Sequence, residues 1–106
     1  MLLERWEEIM PTYVVLVNWT DKGIADVRDT EKRLAGGVKA AKTFGVTLKE
    51  AYWTMGTYDM VSIIDAPDDE SLTGYLLKIC SEGFIRTTTL RAFGKGNFDK
   101  VLAKLK

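Results

Sequence analysis

The stretch VTLKEAYWTMGTYDMVSIID, residues 46–65, decides the fold. Residues 46–55 and 58–65 are rich in β-branched and aromatic side chains, which favour β-strands. Gly56 and Thr57 are the two residues between these segments, and a two-residue connection with glycine first is typical of a type II′ β-hairpin. The stretch therefore predicts two antiparallel neighbouring strands.

The rest of the chain extends this hairpin into an alternating order of strands and helices. Residues 12–19, TYVVLVNW, predict a strand. A helix is predicted from Asp29 or Thr30 to about Phe44, and Asp68 is placed to cap a second one. The other predicted elements are a strand at 84–93 and a tail helix at 97–106. The order βαββαβ plus a C-terminal helix predicts a ferredoxin-like α+β fold, with a four-stranded antiparallel sheet and both main helices on one face.

Glycines and strand composition add expectations about packing. Gly36 and Gly37 weaken the first helix by about 1 kcal/mol each relative to Ala, so we expect this segment to pack closely against a neighbouring backbone. Gly45 is expected to end that helix in the left-handed conformation. The third and fourth strands lack the purely polar alternation of a solvated sheet face. We therefore expect a second copy of the chain to cover the helix-free face, giving a homodimer or a higher multiple.

The first nine residues, MLLERWEEI, are predicted to be an N-terminal extension (1–9) of a single domain that spans residues 10–106. They lack the basic region and the cleavage site of a signal peptide. Two interpretations stay open. The segment is a short amphipathic helix, because its apolar residues fall at roughly helical spacing, or it precedes an alternative start at Met10.

Composition excludes several classes of function. The 15 basic and 15 acidic residues leave no net charge, so we expect neither nucleic acid nor a membrane surface as a partner. The chain has no histidine, which removes Ser-His and Cys-His catalysis, histidine-ligated haem and the usual zinc sites. Cys80 is the single cysteine, which excludes an intrachain disulfide and fits a cytoplasmic protein. We expect no cofactor and no metal site, since Asp68, Asp69 and Glu70 are interpreted as the charged first turn of a helix.

Four short blocks carry a family resemblance: T-D-K-G at 20–23, G-T-Y-D at 56–59, A-P-D-D at 66–69 and R-T-T-T-L-R-A-F at 86–93. In order and spacing they resemble the GYD-domain family, which is named for the second block. The resemblance covers nearly everything after Met10. It implies a stand-alone ferredoxin-like unit of the dimeric α/β-barrel superfamily, with no established activity common to the family. The second half of the chain is also similar, more distantly, to the ligand-sensing domain of Lrp/AsnC-type regulators.

The polar residues at the start of the third predicted strand form the candidate site. In one interpretation Asp59 accepts hydrogen bonds from turn amides, or pairs with Arg86 or Arg91, and holds the hairpin in register. In the other, Asp59 lines a pocket at a subunit interface, where Tyr58 and Arg86 fix a small polar ligand. The predicted ligand-binding set is Asn18, Trp19, Trp53, Gly56, Tyr58, Asp59 and Arg86, with Tyr52 as a further aromatic at the same cavity.

These observations favour a small homo-oligomeric binding module that senses or carries a small molecule at a subunit interface. Two alternatives stay open. One is a cofactor-independent oxygenase or isomerase of the dimeric-barrel type, which would use polar and aromatic members of the candidate set to polarise an aromatic or enol substrate. The other is a purely structural assembly protein. The sequence favours binding over catalysis and assigns no catalytic residue.

Overall fold

The computed structural model describes residues 10–105, and the predicted extension at 1–9 lies outside them. The chain forms four strands, four α-helices and two short 3₁₀ segments over this range. In chain order they are β1 (Thr12–Trp19), α1 (Asp21–Ala25), a 3₁₀ turn (Val27–Asp29), α2 (Thr30–Ala41), a second 3₁₀ turn (Lys42–Phe44), β2 (Thr47–Trp53), β3 (Met60–Asp65), α3 (Asp69–Cys80), β4 (Ile85–Ala92) and α4 (Lys95–Ala103).

The strands form one antiparallel sheet in the order β2-β3-β1-β4. Its centre is β1, where Val14 lies between Ile63 of β3 and Leu90 of β4. Helix α2 lies in the connection from β1 to β2, and α3 joins β3 to β4. This is the ferredoxin-like arrangement, so the predicted fold class is confirmed.

The core lies between the sheet and the two long helices. Side chains along a strand point alternately to the two faces, and along β1 every second one is buried. The opposite face of the sheet carries neither α2 nor α3. The buried apolar residues of the core include Tyr13, Val15 and Val17 of β1, Met60 and Ile64 of β3, and Leu72 and Tyr75 of α3.

Two helix ends follow the sequence closely. The carboxylate of Asp68 caps α3, because the backbone N–H of Ser71 donates to its Oδ1 at 2.7 Å. The same N–H group holds the pKa of Asp68 below its usual value. Gly45 adopts a φ of 68° directly after the second 3₁₀ turn, as expected for the residue that ends this helical segment.

Two local predictions were wrong. The predicted two-residue hairpin is a longer connection, since β2 ends at Trp53 and β3 begins at Met60. Gly36 does not pack against a backbone, because a Cβ placed there would meet no atom within 4 Å. A Cβ on Gly37 would approach a side-chain atom, the hydroxyl of Tyr75, at 3.3 Å.

Candidate functional site

The end of β1 is a corner where three segments meet, and we call it the β1 corner (residues 18–20, 54–59 and 83–84). The backbone N–H of Trp19 donates to Oδ2 of Asp59 at 2.9 Å. The side-chain amide of Asn18 donates to the carbonyl of Thr57 at 2.8 Å. The backbone N–H of Asp59 also donates to the carbonyl of Val17 at 2.8 Å. These contacts fix the hairpin connection to the end of the central strand.

The connection 54–59 is closed by its own hydrogen bonds. The backbone N–H of Thr54 donates to the carbonyl of Asp59 at 2.9 Å, and the hydroxyl of Thr54 donates to the carbonyl of Tyr58 at 2.7 Å. Gly56 has a φ of 104°, a conformation that side-chain-bearing residues rarely adopt. The conformation of Gly56, the backbone carbonyl of Tyr58 and the carboxylate of Asp59 therefore help to shape and anchor this loop.

The other half of the corner joins α1 to the start of β4. Thr20 caps α1, because its hydroxyl accepts from the N–H of Gly23 at 3.1 Å. The same hydroxyl donates to the carbonyl of Gly83 at 2.6 Å, and the N–H of Thr20 donates to the carbonyl of Phe84 at 3.0 Å. Gly23 is buried against this carbonyl, with no space for a side chain. Thr20 and Gly23 thus hold the T-D-K-G block against the β4 entry.

The structure divides the predicted ligand-binding residues between the two faces of the sheet. Asn18 pairs in register with Arg86 of β4, on the face opposite to α2 and α3. Trp19 lines a cavity on the helix-covered face, and the indole N–H of Trp53 donates to the hydroxyl of Thr30, at the start of α2, at 3.0 Å. These residues therefore do not converge on one pocket in the single chain.

The predicted contact between Asp59 and the arginines does not form. Within residues 10–105, Asp59 makes no ion pair with Arg86 or Arg91, because its carboxylate binds the Trp19 N–H instead. Arg91 donates to the carbonyls of Thr12 and Ala92. Arg86 is exposed, and no described residue forms a hydrogen bond or ion pair with its guanidinium. Arg86 is therefore left available to a partner, as is the hydroxyl of Tyr58, which also has no hydrogen-bond partner among residues 10–105.

The face of the sheet opposite to α2 and α3 is apolar at its centre. We call it the open sheet face, defined by Val14 and Leu16 of β1, Val61 and Ile63 of β3, and Leu90 of β4. Register places Val14 between Ile63 and Leu90, and Leu16 beside Val61, so the five side chains are contiguous. All five are at least partly exposed in the single chain, and Leu90 is 50% exposed. A solvated sheet face is normally polar, so this surface has the composition of a covered one.

A cavity of about 440 Å³ lies on the other face, between the sheet and the two long helices. Its floor is made by residues of β1 and β3, including Val15, Val17, Met60, Ser62 and Ile64. Helix α2 contributes Leu34, Gly36, Gly37 and Ala40, and α3 contributes Leu76 and Ile79. Exposed Lys32 and Glu82 also line it, so the cavity reaches the surface.

Ser62 is the unusual residue of the cavity floor. It is 5% exposed, yet its hydroxyl makes no hydrogen bond with any residue between 10 and 105. A buried hydroxyl without a partner costs about 1–3 kcal/mol, so it normally finds one. No fully enclosed side-chain nitrogen or oxygen in this range lacks a partner, so the Ser62 hydroxyl reaches the open space of the cavity. Sequence reasoning missed this residue, although a serine between Met60 and Ile64 on the buried side of an apolar strand was an available signal.

A model of the GYD domain matches residues 13–102 of this chain. The chain belongs to the GYD domain family. A relative from Thermus thermophilus, named "Glutamine synthetase and cystathionine beta-lyase binding protein", is 32% identical over 84 residues, which cover 78% of this GYD domain protein and 88% of the relative. A crystal structure of a protein from Thermus thermophilus is 29% identical with a TM-score of 0.52, over 80% of this chain and 95% of that one.

The resemblance to ligand-sensing regulators is confirmed at the level of the fold. The feast or famine regulatory protein from M. tuberculosis, complexed with L-methionine, has a TM-score of 0.65 and 14% identity, over 86% of this chain and 55% of that one. The GYD domain protein therefore spans just over half the length of that regulator. At this identity the likeness shows a shared fold and nothing about ligands.

Burial dominates the ionisation of the two core tyrosines of this GYD domain. Burial raises the pKa of Tyr75 to about 12, and its hydroxyl donates to the carbonyl of Gly37 at 2.9 Å. Burial, followed by the hydrogen bond to Asp69, raises the pKa of Tyr13 to about 12. Both hydroxyls therefore act as neutral structural donors at physiological pH.

Metal and thiol chemistry find little support in residues 10–105 of this GYD domain. These residues contain no group of three or more His, Cys, Asp or Glu side chains that could hold a metal ion. Cys80 is half-buried, with its Sγ 3.8 Å from the hydroxyl of Thr87. None of the helices in this range combines the length and the apolar character needed to span a bilayer.

Proposed function

We propose that the protein is a small homo-oligomeric binding module in which two copies join through their open sheet faces. The observation that carries the proposal is the contiguous apolar centre of that face, formed by five aliphatic side chains from three neighbouring strands. Polar residues surround this centre, with Asp65 and Lys49 at one end and Asn18 and Arg86 at the other. An apolar centre with a polar rim is typical of protein interfaces.

The tail helix supports association as well. Phe98, Val101 and Leu102 of α4, and Leu105 just after it, are apolar and exposed in the single chain. Burying apolar surface stabilises an assembly by roughly 25 cal/mol per Å². A chain of 106 residues has a modest core, so further burial between copies adds to a small total stability.

Light scattering after size-exclusion chromatography tests the assembly, with Leu90→Lys as the variant and Leu77→Lys as its matched control. Leu90 is 50% exposed on the open sheet face, and Leu77 is 67% exposed on α3, so a lysine is tolerated at either position by the single chain. In the assembly Leu90→Lys would bury an unpaired charge in each copy, at a cost of about 3 kcal/mol or more. We expect a dimer or a multiple for the wild type and for Leu77→Lys, and monomers for Leu90→Lys. A monomeric wild type at micromolar concentration contradicts the proposal, as does a Leu90→Lys variant that stays assembled.

Within this assembly we place a small polar molecule beside Arg86, at the polar end of the interface. Asn18 and Asp59 are already bound to the backbone, whereas the guanidinium of Arg86 has no partner among residues 10–105. Native mass spectrometry of untreated protein tests this idea by looking for a co-purified molecule. We expect Arg86→Gln to lose that molecule while the dimer remains, and an unchanged ligand mass in Arg86→Gln would exclude this position.

A second candidate function is the binding of a metabolic enzyme. It is favoured by the relative from Thermus thermophilus, whose name states that it binds glutamine synthetase and cystathionine beta-lyase. Biolayer interferometry of this protein against each purified enzyme tests the candidate. Saturable binding that survives in Leu77→Lys would support it, and no binding at micromolar concentration would remove it.

A further inference from the structure

We propose that the cavity between α2, α3 and the sheet is a binding site for a small, neutral, mainly apolar molecule with one hydrogen-bonding group, which meets the hydroxyl of Ser62. The site lies inside one subunit, so it does not depend on the assembly proposed above. It is also separate from the position beside Arg86, which lies on the other face of the sheet.

The size of the cavity is the first argument. Its volume of about 440 Å³ falls within the range of roughly 300–1,000 Å³ that is typical of small-molecule sites. A molecule of water occupies about 30 Å³ in the liquid, so the space corresponds to roughly fifteen non-hydrogen atoms. Gly36 and Gly37 of α2 line this space, and a Cβ on Gly36 would meet nothing within 4 Å.

The chemistry of the walls defines the class of ligand. The floor and both helix walls are mainly aliphatic, which favours an apolar body. Ser62 supplies one hydroxyl that reaches the cavity and has no partner among the described residues, which favours a single hydrogen-bonding group on the ligand.

The charged residues near the mouth argue against an ionic ligand. Arg33 already forms an ion pair with Asp26 at 2.7 Å, and its guanidinium lies 3.9 Å from the centre of the Phe84 ring. Asp29, Lys32 and Glu82, which also line the cavity, are exposed and carry charges of both signs. The buried residues of the lining carry no charge that could compensate a buried ion, and burying one without a partner is costly. A neutral molecule fits this distribution.

Fluorescence titration with N-phenylnaphthylamine, a neutral aromatic amine whose emission rises in apolar surroundings, tests the proposal. Gly36→Leu adds a side chain to a residue that lines the cavity on α2, and Ser62→Leu adds one to the floor of the cavity. Ala35→Leu is the matched control, because Ala35 is the exposed neighbour of Gly36 and does not line the cavity. We expect saturable binding of one probe per chain by the wild type and by Ala35→Leu. Affinity should fall at least about tenfold in both filled variants, and about fivefold in Ser62→Ala, which removes the hydroxyl but keeps the space.

Each outcome decides for or against the site. Thermal melts establish that the variants are folded, and if Ser62→Leu does not fold, Gly36→Leu decides alone. The absence of saturable binding by the wild type would overturn the proposal. Unchanged affinity in Gly36→Leu would overturn it too. Loss of binding in Leu90→Lys with full binding in Gly36→Leu would place the probe on the open sheet face. Binding by a wild type that proves monomeric would leave this site standing while the proposed assembly fails.

Discussion

Gly23→Ala is expected to destabilise the protein by about 3 kcal/mol, because the backbone of another segment occupies the space of the new side chain. A Cβ at this position would lie 2.0 Å from the carbonyl oxygen of Phe84, 3.0 Å from its carbonyl carbon and 3.2 Å from Cβ of Trp19. The two closest atoms belong to the backbone, so no side-chain rotation relieves the clash. Helix α1 and the segment before β4 must therefore move apart.

This movement determines how much the free energy of unfolding falls in Gly23→Ala. It breaks the hydrogen bond from the Thr20 N–H to the Phe84 carbonyl, now 3.0 Å long. A lost hydrogen bond with a buried partner costs about 1–3 kcal/mol, and overpacking of a filled site costs about 1–3 kcal/mol more. The higher helix propensity of alanine offsets about 1 kcal/mol. The middle of these ranges leaves a net loss of about 3 kcal/mol.

Gly36→Ala is the matched control, since it makes the same chemical change where a Cβ meets nothing within 4 Å. Gly36 is exposed inside α2, so this variant is expected to gain about 1 kcal/mol. Equilibrium unfolding in urea measures both variants against the wild type, and equal m-values permit direct comparison. The reasoning is refuted if Gly23→Ala lies within about 0.5 kcal/mol of the wild type, or if the two variants shift stability in the same direction.

Two further predictions concern single side chains. Asp59→Asn should lower the free energy of unfolding by about 1 kcal/mol, because the Trp19 N–H loses a charged acceptor but keeps an oxygen. When Asp59→Asn is combined with Arg86→Gln, the two changes in the free energy of unfolding should add. Coupling between them in the double-mutant cycle would contradict the observed geometry. Burial raises the pKa of Tyr75 to about 12, above its unfolded value near 10. The stability that the neutral Tyr75 side chain contributes to the folded state is therefore present below pH 10 and is lost as pH rises towards 12. Tyr75→Phe should therefore lose less stability than the wild type across this alkaline range, and parallel pH profiles would contradict the assignment.

Elements set by local patterns could be predicted from the sequence. The strand at 12–19 was predicted with both ends correct, because its β-branched run ends in polar residues. Asp68 was predicted as a cap from its position ahead of an acidic first turn, and it caps α3. The four-stranded antiparallel sheet was predicted from the βαββαβ order, since few topologies satisfy such short connections.

The β1 corner shows where local patterns were insufficient. Gly56 was predicted to begin a two-residue turn, but the loop is anchored by Asn18 and Asp59 across about forty residues of sequence. The side chain of Asn18 binds the carbonyl of Thr57, and Asp59 binds the N–H of Trp19. Such contacts stabilise a longer loop that has no signature within its own six residues. Turn propensity describes neighbouring residues only, so tertiary hydrogen bonds override it here.

The cavity could not be predicted from the sequence for a related reason. A Gly-Gly pair within a helix is compatible with close packing and with open space, and only the placement of α2 over the sheet distinguishes the two. Gly36 meets open space, whereas Gly37 lies near the hydroxyl of Tyr75. Ser62 carried a weak signal as a polar residue on a buried strand face. That its hydroxyl lacks a hydrogen-bond partner among the described residues depends on the tertiary structure around it.

The β1 corner also bears on where function can lie. The hydroxyl of Thr20, the carboxylate of Asp59 and the amide of Asn18 all bind backbone groups of neighbouring segments. A ligand that displaced one of these bonds would leave a backbone group unsatisfied, which costs stability. The blocks T-D-K-G and G-T-Y-D are therefore explained by the architecture of one corner. The two binding sites proposed above use other groups of residues 10–105: the open sheet face with Arg86, and the cavity with the hydroxyl of Ser62.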